Sequence, residues 1–426
     1  MEKLLFLGID STTEDAFQYA KSKGIYTVVA DYLDVGSSHI KAEANRFWQV
    51  DVKDLDTLEQ LCREENITGI YAGSHELCLD SCKSLCERLG LPFYASEKGW
   101  QAARDKEIYK EYCLKEGLDI PKKYWIGGYP PAEALNNICF PVIVKPIDGS
   151  AKRGYSKVTG IEELWPAIEH ALGFSERKRI IVEDYIEGNA TTVTCVIHQD
   201  RLTLVDVLID LSTINNGKEN FCFGIHNSQY IQDIIKNLMP AYQRLVRDLE
   251  CKEGTIFFQS MLRDGKYYQL EIGYRLDGIC SWRHIEKHSG VNQLKYMVDL
   301  AMGKVGDEHL RRTDAVDQTD INIAYVISGR PGLIKTIAGK AELLRRSDVV
   351  VQLDRFQPGD TIPDTDDMTS IALIIEVFGK NHTEIAGKIK EINQMIHYYD
   401  AEGNDLLVHH DNLEEKWQAI MQLREG

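Results

Sequence analysis

The chain has 426 residues, 43% of them hydrophobic and 27% charged, ordinary proportions for a globular protein with room for two to four domains. Its 49 basic and 66 acidic residues leave a formal net charge of −17, which excludes a general electrostatic attraction to nucleic acid or to an anionic membrane. Positive charge that matters must be local, in a pocket for anionic groups.

The opening run, Leu4-Leu5-Phe6-Leu7-Gly8-Ile9, is too short for a signal peptide and reads as a first strand. No run approaches the ~18 apolar residues of a membrane span, so the expected location is the cytoplasm. Apolar runs at 4–9, 26–30, 47–50, 69–72 and 92–94 predict strands, with helices at 13–23, 54–65 and 76–89 between them. This alternation predicts βαβ units on a parallel sheet, an open α/β domain over residues 1–105. The turn Gly8-Ile9-Asp10-Ser11 lacks the Gly-x-Gly-x-x-Gly dinucleotide fingerprint. Ten scattered cysteines are no disulfide framework. His75, Cys78, Cys82 and Cys86 fall on one helical stripe, but zinc ligands usually come as Cys-x-x-Cys knuckles on turns. The stripe is read as small apolar residues packing helix on sheet.

Residues 104–118 predict a helix ending at Gly117, and a small α+β lobe follows over 106–188. Its strands are expected at 140–146, 156–158 and 180–183, with a helix at 161–172. From 191 the pattern turns antiparallel, with strands at 191–197 and 202–210, a helix at 229–250, and a strand pair at 255–262 and 266–271 joined by Arg263-Asp264-Gly265. Residues 210–228, holding Asn215, Asn216, Gly217 and Gly224, read as a long polar loop, and His226 as its polar contact to an acceptor substrate. This third part spans 189–315. Strands at 321–327, 348–352 and 369–378 and a helix at 382–396 predict an α+β subdomain over 316–426, closed by a charged amphipathic helix from 413.

Five segments carry the chemistry: Lys106; Val144-Lys145-Pro146; the loop from Gly149 and Ser150 through Lys152 and Arg153 to Gly154; Glu183-Asp184-Tyr185-Ile186-Glu187-Gly188; and Glu271-Ile272-Gly273-Tyr274-Arg275. A lysine at the end of a buried strand holds its ammonium at one spot, as a point charge for phosphate oxygens. A glycine-bracketed loop with basic residues at its tip brings backbone N–H groups close to phosphates. Backbone groups just after a strand such as 180–183 suit an adenine edge.

In order and spacing these segments resemble the ATP site of the ATP-grasp superfamily, where two α+β lobes close on a nucleotide. The C-terminal stretch from Gly329 to Gly339 looks most like the extra lobe of the L-amino acid ligases. The resemblance implies an ATP-grasp fold and an ATP-dependent ligase that activates a small carboxylate, such as an amino acid, as an acyl-phosphate for attack by an amine or thiol. ATP and Mg²⁺ are the implied cofactors and a homodimer an implied assembly. Lys106 and Lys145 would contact the α- and β-phosphates, and residues 149–154, with Gly149, Ser150 and Gly154, would form the phosphate loop. Glu183 and the backbone of Asp184 and Ile186 would hold adenine, with Glu187 toward the ribose. Glu271 would ligate Mg²⁺, and Arg275 would stabilise the transferred phosphate or acyl-phosphate.

Three positions depart from the pattern. Gln259 stands where a second metal-ligating acid is usual, Gly273 where Asn is usual, and Ala190 where a Glu commonly follows the hinge glycine. A Gln carbonyl can ligate Mg²⁺ but brings no charge. Two readings follow: a ligase, with Lys145 and Arg275 in catalysis, or a nucleotide-binding protein with reduced or lost catalysis in a regulatory role.

Overall fold

The computed structural model of the protein describes residues 1–149, 153–215, 218–226, 231–310, 321–365 and 368–422. The first part alternates as predicted: β1 (Lys3–Leu7), α1 (Thr13–Ser22), β2 (Tyr26–Asp31), α2 (His39–Glu43), β3 (Arg46–Gln49), α3 (Leu55–Glu65), β4 (Gly69–Tyr71) and α4 (Glu76–Leu89). The strands pair in parallel in the order β3-β2-β1-β4. Leu4, Leu5, Phe6 and Leu7 are all buried, which requires cover on both faces of the sheet. The strand expected at 92–94 does not form. Pro92 has no N–H to donate, and Phe93 and Tyr94 turn instead to edge contacts with Trp100 and Tyr274. The cysteine stripe packs α4 inward, with Cys82 and Cys86 buried beside Leu79 and Leu85.

The helix expected over 104–118 is two helices, α5 (Glu97–Arg104) and α6 (Lys106–Lys115). Asp105 breaks them because its carboxylate caps α6, accepting from the N–H groups of Glu107 at 2.9 Å and Ile108 at 3.4 Å. Lys106 thereby becomes the first residue of a helix. The small lobe contains β5 (Lys123–Gly127), β6 (Val142–Pro146), β7 (Ser156–Val158), α7 (Ile161–Phe174) and β8 (Ile180–Asp184). Its antiparallel sheet runs β5-β8-β6-β7, with Val142, Val144, Ile180 and Val182 packed against Leu164 and Ile168 of α7.

The large sheet begins with β9 (Asn189–His198), β10 (Arg201–Asn215) and β11 (Lys218–His226). Residues expected as a polar loop at 210–228 therefore form most of a long hairpin, with Asn216, Gly217 and 227–228 outside the described residues. The polar composition misled because antiparallel partners need alternation and not hydrophobicity, and Leu211, Phe223 and Ile225 supply the buried face. The helix expected at 229–250 is α8 (Ile231–Asn237) and α9 (Met239–Asp248), separated at Leu238 just before Pro240. Then come β12 (Glu253–Arg263), β13 (Lys266–Gly273), α10 (Trp282–Ser289) and α11 (Gln293–Ala301).

The C-terminal part adds β14 (Ile321–Gly329), β15 (Gly332–Leu333), β16 (Thr336–Ala338), α12 (Lys340–Leu344), β17 (Val349–Asp354), β18 (Thr361–Ile362) and β19 (Ile371–Gly379). It ends with α13 (His382–Met395), β20 (His397–Tyr399), β21 (Leu407–Val408) and α14 (Leu413–Gln422). The main sheet runs β13-β12-β9-β10-β11-β14-β19-β17, so the C-terminal strands continue the sheet that β9 to β13 begin. Among the described residues, no helix is long and apolar enough to cross a membrane.

Candidate active site

The structure brings described residues of all five segments together where the small lobe, α6 and the edge of the large sheet meet. Lys106, on the first turn of α6, donates to the Gly149 carbonyl at 2.8 Å and pairs with Glu271 of β13 at 2.9 Å. Lys145, at the end of β6, lies 2.7 Å from Glu183 on the neighbouring β8, with its ammonium 5.6 Å from the centre of the Tyr155 ring. The other Glu183 oxygen accepts from Lys110, one turn along α6 from Lys106. Lys110 was not singled out by sequence. Only the helical spacing of 106 and 110 points to it, because residues four apart share a face.

Buried charge makes this cluster demanding. Glu183, Lys145, Lys110 and Lys106 are all nearly inaccessible. Burial pushes the Glu183 carboxyl upward, but the Lys110 and Lys145 charges overcome it and hold the group below its ordinary range. Burial pulls Lys110 down to about 8, only partly offset by Glu183. It pulls Lys106 the same way, but Glu271 outweighs it and the ammonium is held above its usual value. Glu271 in turn is held down by Lys106, against its burial, with Lys145 and Arg275 adding to the effect. Three lysines face two carboxylates, so the cluster carries an excess of one positive charge for an anionic ligand.

The hinge after β8 is half-buried at Asp184 and Ile186 and exposed at Glu187. Asp184 already donates its N–H to the Lys122 carbonyl at 2.9 Å and accepts from the Tyr124 hydroxyl at 2.7 Å. Glu183 meets the expectation only in place: its carboxylate is the counter-charge of two lysines. Gly188 passes close under β12, where an added Cβ would meet the Leu262 carbonyl oxygen at 2.3 Å. Ser150 and Lys152 lie outside the described residues, and Gly154 closes the loop with a φ of +73°, a value that favours glycine.

Gln259 and Glu271 are direct partners in the β12–β13 pair. Their side chains therefore share a face of the sheet at the mouth of the cluster, and both are partly exposed. Gly273 has its own explanation. A Cβ there would fall 2.1 Å from the ring of Phe257, its partner on β12, so the ring fills the space a longer side chain would take. The same ring supports the Arg275 guanidinium, 5.2 Å from its centre. Arg275 also donates to the Leu276 carbonyl at 2.8 Å and reaches Glu76 of α4 at 3.4 Å. Glu76 pairs with Arg104 as well, which links the N-terminal domain to this corner. Asp10 organises the loops beside it, accepting from the N–H groups of Ser74 and His75 across the ends of β1 and β4, while Ser11 donates to the Gly278 carbonyl at 2.9 Å.

His226 is not in this cluster. It is buried on β11 between Asp206 and Glu376 at 2.8 and 3.0 Å, which makes it neither a loop residue nor a solvated one.

Residues 129–234 match the family described as D-ala D-ala ligase C-terminus. The carbamoyl phosphate synthase large chain of Thermoanaerobacter sp. (strain X514) is 23% identical over 206 residues, 47% of this chain and 19% of that one. The formate-dependent phosphoribosylglycinamide formyltransferase of Haloquadratum walsbyi is 27% identical over 207 residues, 47% of this chain and 50% of that one. The matches to such relatives span from 19% to 59% of their length. Among solved structures, the L-amino acid ligase from Bacillus licheniformis superposes with a TM-score of 0.76 at 16% identity, over 94% of this chain and 99% of that one. The chain thus has the ATP-grasp fold, and the likeness to ATP-grasp ligases read from its motifs holds. The biotin carboxylase domain of the Hydrogenobacter thermophilus 2-oxoglutarate carboxylase shares this fold, with a TM-score of 0.76 at 16% identity over 93% of this chain and 90% of that one. That structure is a domain dimer with MgADP, ADP and bicarbonate.

Proposed function

We propose that the protein is an ATP-dependent ligase that activates a small carboxylate as an acyl-phosphate and joins it to an amine. The reading rests above all on the convergence of Lys106, Lys110 and Lys145 with Glu183 and Glu271 at the junction of the two lobes. A triphosphate entering there would take over the contacts the lysines now make with carboxylates. The substrate carboxylate oxygen attacks the γ-phosphorus, and the bond from phosphorus to the ADP oxygen breaks. The amine then attacks the acyl carbon, phosphate leaves, and the nitrogen loses a proton. Positioning and charge stabilisation supply the catalysis. In this reading Arg275, its guanidinium supported by the Phe257 ring, steadies the transferred phosphate.

The donors fit Mg²⁺: Glu271 offers a carboxylate and Gln259, beside it, a neutral carbonyl. One charged ligand and one neutral ligand suit a single ion shared with ATP phosphates. Such an ion would neutralise charge on the phosphates. In this reading the backbone of Asp184 and Ile186 borders adenine, Glu187 faces the ribose, and residues 149–154 cover the phosphates.

A second reading, a nucleotide-binding protein with reduced catalysis, is favoured by Gln259 and by the Phe257 ring occupying the space beside Gly273. Release of phosphate from ATP and Mg²⁺ with pooled amino acids separates the two. Phosphate released only with an amino acid present supports the ligase; nucleotide binding without release supports the binding protein.

A further inference from the structure

A second cluster of titratable groups lies inside the large sheet, separate from the lysine cluster. Asp206 of β10, His226 of β11, His284 of α10 and Glu376 of β19 are each no more than 2% exposed. His226 points Nδ1 at Asp206, 2.8 and 3.0 Å from its two oxygens, and Nε2 at Glu376, at 3.0 Å. His284 is oriented alike. Its Nε2 faces Asp206 at 3.6 Å, beyond hydrogen-bond reach and without a hydrogen-bond partner among the described residues, while Nδ1 faces Glu376 at 3.6 Å with the Gln352 amide against it. His288, one turn on, brings Nε2 within 3.7 Å of the other Asp206 oxygen. Glu376 is held from its far side by Asn322 at 3.0 Å and by Gln352 at 2.9 Å.

We infer that Asp206, His226 and His284 form a structural site for a divalent transition metal of the zinc type, with Glu376 as the carboxylate that orients His226. Three observations carry this. The three ligand atoms lie within 4.8 Å of one another, and one Asp206 oxygen stands 2.8 Å from His226 Nδ1 and 3.6 Å from His284 Nε2, on either side of the roughly 3.3 Å that tetrahedral ligands about 2.0–2.2 Å from zinc require. His226 turns Nδ1 onto Asp206 and Nε2 onto Glu376 at 3.0 Å, and a carboxylate behind the histidine is the usual outer support of such a ligand, while His284 is turned the same way with Gln352 behind it. Two imidazoles with one carboxylate select zinc-like ions over Mg²⁺.

Charge agrees with geometry. Two buried carboxylates carry −2 in a dry interior, which is costly without a counter-charge. A dication with neutral imidazoles gives −2 + 2 = 0, the His226 Nδ1 proton leaving as the ion binds. The site would pin α10 to the sheet. That helix also carries Arg283, whose guanidinium meets Asp15 of α1 at 2.7 and 3.0 Å and the Val351 and Gln352 carbonyls at 3.1 and 3.2 Å. A bound ion would therefore brace the helix that follows the Arg275 segment and joins the N-terminal domain to the sheet.

Chelator-treated full-length protein titrated with CoCl₂ tests this. One equivalent bound, with the visible bands of tetrahedral Co²⁺ and displacement by Zn²⁺, is expected. His284→Gln should weaken Co²⁺ at least tenfold, and Glu376→Gln tenfold to a hundredfold. His397→Gln should leave binding intact, because it alters the half-exposed His397, Asp405 and His409 group. A folded wild type without these bands overturns the inference, as does their loss in His397→Gln. Both measurements decide the matter even if His284→Gln fails to fold.

Discussion

The two ion clusters both set carboxylates against basic side chains, lysines in one and histidines in the other, and differ in how they are closed. At the lobe junction, Glu271 keeps a third of its side chain exposed and the lysines outnumber the carboxylates. In the large sheet, Asp206, His226, His284 and Glu376 are sealed, and carboxylates exceed fixed cations. An open cluster with surplus positive charge is ready to exchange a protein carboxylate for a ligand phosphate. A sealed cluster of carboxylates and imidazoles suits a cation, which would tie its elements together. In the proposed readings, the difference in closure separates exchange in one place from bracing in the other.

The largest expected effect breaks the open cluster at its centre. Glu183→Gln leaves Lys110 and Lys145 buried against a neutral amide, and removing one partner of a buried pair costs about 3–5 kcal/mol. The sign with pH is fixed by the depressed Glu183 carboxyl. The stability it supplies is present above the ordinary carboxylate range and is lost as pH falls through the folded-state value. Urea unfolding of the wild type should weaken below roughly pH 4, and Glu183→Gln should flatten that acid limb. An unchanged acid limb would mean that Glu183 is not the group being titrated.

Next comes the partly exposed carboxylate. Glu271→Gln should lower turnover by at least about a hundredfold and also cost stability, because the buried Lys106 loses its carboxylate partner and keeps only the Gly149 carbonyl. Normal turnover in this variant would move the metal away from β13. Lys145→Ala should weaken ATP by roughly tenfold to a hundredfold, the worth of a charge-assisted contact of ~1.5–3 kcal/mol. Calorimetry showing unaltered affinity would remove Lys145 from the nucleotide.

How much of this was legible depends on how far along the chain each signal reaches. Lys145, Glu183 and Glu271 are written as short apolar strands ending in a charge, a local signal, and the structure brings them together around Lys106 and Lys110. Lys110 carries no such mark. A lysine in the middle of a helix is ordinarily solvated, and only the three-dimensional approach of Glu183 reveals it. His226 was placed in a loop because Asn215, Asn216 and Gly217 outweigh the alternating Leu211, Phe223 and Ile225 in any local window. Its partners Asp206, His284 and Glu376 are distant in sequence, so no spacing rule gathers them. Gly273 shows the converse. Its departure from the ligase pattern is visible in the sequence, but its cause, the Phe257 ring under Arg275, is not.

The smallest effect is the most discriminating about the metal. Gln259→Glu places a second carboxylate opposite Glu271 on the shared face of β12 and β13. Without an ion the two charges repel, which raises the carboxyl pKa values and costs some stability. Lys106, already at Glu271, tempers that cost. With Mg²⁺ the added charge becomes a ligand, so the variant should bind Mg²⁺-ATP more tightly or turn over faster while melting lower in chelator. Gly273→Asn is not an equivalent repair, because its Cβ must displace the Phe257 ring, an overpacking cost of about 1–3 kcal/mol, and Arg275 loses its support. The two substitutions should therefore separate: one sharpens the Mg²⁺ dependence, the other blunts activity. If Gln259→Glu leaves the Mg²⁺ dependence of ATP binding and turnover untouched, residue 259 does not face the metal, and Glu271 works with a ligand from elsewhere in the lobe.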